Sequence, residues 1–125
     1  MTASEFVSRR PDIVAPGIPD LIWQYVQKRD WPGAAKFLGI PAEDRGSSVE
    51  RFRDFLVDVA GIIKRFLLIR ERNLQPGAAV QIHGDGSEHP VVIRSITRAG
   101  HLRLEGSNGG HNPIDFKMIV VGPAA

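Results

Sequence analysis

All four histidines, His83, His89, His101 and His111, fall in the last third of the chain, among glycine-rich segments that also carry Asp85, Glu88 and Asp115. Two imidazoles and a carboxylate are enough to hold a zinc-like ion. If the strands of this region run as a meander, the first and third connections leave the sheet at one end. That would bring Asp85, Glu88 and His89 towards His111 and Asp115. Asp85, His89, His111 and Asp115 are therefore the candidate metal cluster. Against it stands the lack of any fixed short spacing, such as two histidines one helical turn apart. Gly, Asn, Asp and His are also the residues that turns favour for their own sake. This second reading is the stronger, so neither a metal nor a cofactor is expected.

Nucleophilic chemistry has no better footing. The chain has no cysteine, which removes thiol nucleophiles, thiolate metal sites and disulfides together and suits a reducing, cytoplasmic setting. Ser47 and Ser48 are explained as helix caps, Ser87 and Ser107 lie in turns, and Ser95 lies inside a strand. The carboxylates are scattered singly, leaving no acid and base couple in an apolar setting. The segment GSNGGH lacks the lysine and the following helix of a phosphate-binding loop. No enzyme is expected; a metal-dependent enzyme at the loop cluster is the distant alternative.

Bases remain as the other source of chemistry. Residues 1 to 47 hold six bases and six acids, and residues 76 to 125 hold four of each, so the net charge of +2 comes from the segment between them. Lys64, Arg65, Arg70 and Arg72, with Arg94 and Arg103 further on, are the possible anion contacts. A basic helix end also complements the helix dipole, and hardly any aromatic residues accompany these bases to stack on nucleotides. Nucleic acid is thus the secondary partner class.

These residues are positioned by two kinds of element. From Ser47 to Arg72, Val49, Phe52, Leu56, Val59, Ile63 and Phe66 recur at alternating steps of three and four, which predicts one long amphipathic helix over about 47–72. Ser47 with Glu50 forms a capping-box pattern at its start. Phe55, Ile62 and Ile69 widen the apolar stripe to about two thirds of the girth, more than the rest of so small a chain is expected to cover. Ahead of it, residues 1–17 read as an arm that Phe6, Val7, Ile13 and Val14 would anchor. Short helices follow from Pro19 to Arg29 and, capped by Asp30, from Trp31 to Leu38. Trp23, Trp31 and Phe37 are expected as core anchors. The N-terminus has no apolar run for a signal peptide, Arg9 and Arg10 are followed by Pro11 and Asp12, and no membrane span is expected, since Val59 to Ile69 is short and interrupted by Lys64 and Arg65.

After Gln75, Pro76 and Gly77 the periodicity changes to two. Val80 and Ile82, Val91 to Ile96, Leu102 and Leu104, and Met118 to Val121 predict four or five short antiparallel strands. PGAAVQIHG, an apolar strand, a tight turn, HLRLEG and a closing apolar strand together resemble the small SH3-like barrels, KOW-type modules among them, over residues 75 to 122. The resemblance implies a compact barrel and a non-enzymatic module that binds protein or RNA. Phe116 is the only aromatic residue after Phe66, which tells against a groove for proline-rich peptides or a methyl-lysine cage.

The sequence thus predicts an α+β protein: an arm (1–17), a helical part (18–73) with one long helix, and a small antiparallel SH3-like β-barrel (75–125). The expected role is protein interaction or assembly, with a homodimer formed through Phe55, Val59, Ile62, Phe66 and Ile69.

Overall fold

The computed structural model describes residues 1–41, 48–83 and 89–123. It is an α+β structure in which helices are followed by a five-stranded antiparallel sheet. The chain divides into two compact units, residues 1–64 and 65–125. The division falls inside the longest helix rather than after it.

The first unit begins with the segment expected to be an arm, and here it is helical. Helix α1 (Ala3–Ser8) is capped by Thr2, whose hydroxyl accepts from the Glu5 amide, and a 3-10 turn covers Pro11–Ile13. Phe6, Val7 and Ile13 are buried, as an anchored segment requires. Arg10 ties it down: its guanidinium donates to the Leu38 carbonyl (2.6 Å), grips both carboxylate oxygens of Asp12 (2.9 Å each) and lies 5.7 Å from the Phe6 ring centre.

Helix α2 (Ile18–Gln27) ends where Arg29 takes a left-handed conformation, φ 54°, and the Asp30 amide reaches back to the Tyr25 carbonyl. Helix α3 (Trp31–Leu38) starts on the expected cap, Asp30 accepting from the Gly33 amide at 3.0 Å, and stops at Gly39, φ 69°. The expected core anchors differ. Trp23 and Phe37 are 45% and 37% exposed, and Trp31 is half-buried. Burial belongs instead to Ile22 on α2 and to Ala34, Ala35 and Leu38 on α3. Small alanines let backbones approach closely, so the faces that meet are these and not the aromatic ones.

Helix α4 (Val49–Glu71) is continuous, as its periodicity requires. The serine seen capping it is Ser48, which accepts from the Arg51 amide at 3.1 Å; Ser47 lies outside the described residues. Phe52, Leu56, Val59, Ala60, Ile62 and Ile63 are buried. Between residues 55 and 69 only Asp58 and Lys64 are exposed. The helix closes before the Pro-Gly pair: Asn73 is left-handed (φ 54°), the Leu74 amide bonds the Ile69 carbonyl at 2.9 Å, and Leu74 is buried.

In the second unit, β1 (Ala79–His83), β2 (Val91–Ile96), β3 (Leu102–Leu104), β4 (Gly110–His111) and β5 (Lys117–Gly122) lie in the order β4-β3-β2-β1-β5. The first four follow the expected meander, and β5 returns to pair with β1. The sheet is therefore open, with β4 and β5 as its edges, and the closed barrel expected from the sequence is not formed. One face carries Val80, Ile82, Ile93, Leu102, Leu104 and Met118, which with Ile69, Leu74 and Ala78 make the core of this unit. Phe66 packs against the same cluster.

Candidate interaction surface

The strand register decides the fate of the histidine cluster. His111 pairs with Leu102, and Leu102 with Ile96, so His111 sits at the end of β2 where the chain turns into β3. His89 precedes Val91, at the opposite end of β2. The expected meeting of His89 with His111 and Asp115 is thus undone by β4 being only two residues long and pairing with the start of β3. Asp85 and Glu88 lie outside the described residues. Among the described residues no group of three histidines, aspartates or glutamates is placed to hold a metal.

His111 and Asp115 instead neighbour His101 and the end of α4. Gly100, at φ 82°, brings the β2–β3 turn against the helix so closely that a Cβ there would stand 2.8 Å from the Arg65 Cβ. Arg65 Nε donates to the Ala99 carbonyl at 2.6 Å. The His101 amide donates to the Thr97 hydroxyl at 3.0 Å. Burial pushes the His101 imidazole below its ordinary pKa of 6.5, the Arg65 charge pushes the same way, and Asp115 opposes both. Arg72 donates to the Pro113 carbonyl (2.9 Å) and more distantly to that of Phe116 (3.4 Å). Phe116 packs edge-on against His111, ring centres 5.5 Å apart, and His111 Nδ1 is buried without a hydrogen-bond partner among the described residues.

Two of the six possible anion contacts, Arg65 and Arg72, are therefore clips that hold α4 to the loops of its own unit. Lys64, Arg70, Arg94 and Arg103 are exposed. Arg94 is the extra residue at an irregularity in the β2–β3 register, and Arg103 pairs with Ser95.

None of the residues expected at a partner interface is fully exposed. Val59, Ile62 and Ile69 are buried, and Phe55 and Phe66 are half-buried. Phe55 lies 5.6 Å from Phe6 and 6.4 Å from Phe52, ring centre to ring centre. The segment first read as an arm supplies Phe6, which is why the stripe looked uncovered from sequence.

Exposed apolar side chains gather elsewhere. Ile119 and Val121 on β5 are 42% and 55% exposed, while Met118 between its neighbours is buried. β5 pairs with β1 through Val80–Val120, Gln81–Ile119, Ile82–Met118 and His83–Lys117, and among the described residues nothing pairs with its other side. The second edge, β4, is two residues long, so it offers little to a partner. Sequence reading recognised the apolar run of β5 but had no means of knowing that the strand would lie at an edge.

In the first unit an open cleft is lined by Val26, Arg29, Trp31, Val49, Glu50 and Arg53. Of the three aromatics expected as core anchors, it includes Trp31 and not Trp23 or Phe37. Among the described residues no helix is long and apolar enough to cross a membrane. The chain matches no known family model, no curated protein and no solved structure.

Proposed function

We propose that this chain is a non-enzymatic protein-interaction module that receives its partner along the free edge of β5. The observation that carries the reading is a six-residue edge strand with Ile119 and Val121 turned to solvent. An edge strand leaves N–H and C=O groups of every second residue unsatisfied, a template for another strand, and proteins usually blunt it with charge, proline or a bulge. Here Lys117 and Pro123 stand at the two ends and Val121 is the extra residue at an irregularity in the β1–β5 register, which leaves Met118 to Val120 without charge, proline or bulge.

Of the five helix residues expected to join two copies, three are buried and two half-buried, whereas Ile119 and Val121 are exposed, which favours β5 over α4 as the proposed contact. Capture from native lysate with wild-type bait and with Ile119→Lys/Val121→Lys bait tests this. The reading expects partners lost with the variant, and an unchanged set of captured proteins would contradict it.

A second reading, nucleic-acid binding, is favoured by one observation: Lys64, Arg70, Arg94 and Arg103 are exposed and, among the described residues, form no ion pair. It predicts gel-shift binding that weakens steeply with salt.

A further inference from the structure

Within the first unit, and independently of β5, we infer that the cleft lined from α2, α3 and α4 binds a small, flat, singly charged anion of the arene carboxylate class. Its volume of about 430 Å³ is that of a small-molecule site. Val26, Trp31 and Val49 give it an apolar wall. Val49 is 53% exposed, while Phe52, the next residue of the same helical stripe, is buried.

The charges in the lining choose the ligand. Arg29 and Arg53 bring guanidinium groups from separate elements, and Glu50 brings one carboxylate, so two bases against one acid leave a formal charge of +1. Among the described residues Glu50 pairs with neither arginine, and the contact of Arg53 is with Asp54 at 3.4 Å, both side chains more than half exposed. One carboxylate balances this charge, whereas a dianion such as a phosphate monoester would be set against Glu50. A guanidinium also takes a carboxylate through two parallel hydrogen bonds and stacks on aromatic rings, so one ligand with both features uses the whole lining.

Arg29 stands where glycine would be free of strain, since its φ is 54°. The backbone there is fixed on both sides: the Arg29 amide donates to the Val26 carbonyl at 3.1 Å, and the Asp30 amide to that of Tyr25 at 3.0 Å. Asp30 in turn caps α3. The strained position thus holds a guanidinium at the cleft on a rigid base.

The experiment is an amide-shift titration of the isotope-labelled full chain with naphthoate, its neutral amide and acetate. The inference expects naphthoate to shift the amides of residues 26–31 and 49–53 together with the Trp31 indole N–H. The amide and acetate should each bind at least about fivefold more weakly, the first for want of charge and the second for want of a ring. Arg29→Gly removes the guanidinium and the strain together. It should weaken naphthoate about fivefold without lowering the melting temperature, and Arg53→Gln, at an exposed site, should act in the same direction.

Equal binding of naphthoate and its amide would overturn the anionic ligand, as would naphthoate binding untouched by both variants. Shifts centred outside residues 26–31 and 49–53, or none at millimolar naphthoate, would overturn the site itself. Neither failure touches the reading of β5, which lies in the other unit.

Discussion

At Gly100 two demands meet, a left-handed backbone and a near contact with Arg65, and Gly106 separates them because its φ of 78° comes with open space around it. Gly106→Ala should therefore cost about 1 kcal/mol from backbone strain alone. Gly100→Ala should cost at least about 1 kcal/mol more, since Arg65 and the turn must part. Chemical denaturation of the two variants gives the comparison. His101 bears on pH. Because its folded pKa is lowered from 6.5, the unfolded chain takes up a proton first. Its contribution to stability is complete above pH 6.5 and declines as pH falls below that value, and His101→Gln should flatten the decline in thermal melts. His111→Leu removes a buried ring nitrogen that lacks a partner among the described residues. It should be neutral or stabilising by up to about 1 kcal/mol, whereas a structural metal ligand would not tolerate the change. Of these residues the sequence disclosed only their types. Which histidines meet depends on register, and the pairing of the two-residue β4 leaves no periodic trace.

Elements were far more legible. The three-and-four spacing from Val49 to Phe66 corresponds to one unbroken α4, and the cap at Asp30 and the strands β1, β2, β3 and β5 lie where their patterns placed them. The helix depends most on its most buried row, so Leu56→Ala should cost about 2–5 kcal/mol, while Ser48→Ala should cost about 1 kcal/mol by loss of the cap. What misled was size: Trp23 and Phe37 look like anchors because large rings gain most from burial, yet α2 and α3 bury Ile22, Ala34, Ala35 and Leu38. The tight turn of Arg10 onto Leu38 was equally hidden, being a contact between residues 28 apart in sequence.

For the whole molecule, the α+β class and the order of helices before strands were legible, because periodicity changes once, after residue 75. The closed barrel was not, since closure depends on whether β4 and β5 find each other, and β4 is too short to reach. That open edge is the feature on which the functional account turns, so Ile119→Lys and Val121→Lys, both at exposed positions, should each change stability by no more than about 0.5 kcal/mol while removing binding. Hydrogen exchange resolved at single amides tests the edge itself. The account expects alternate amides within Lys117–Gly122 to exchange rapidly while those of the central strand β1 stay protected. Uniform protection along β5 in the isolated chain would mean that its outer side is already paired, and would contradict it.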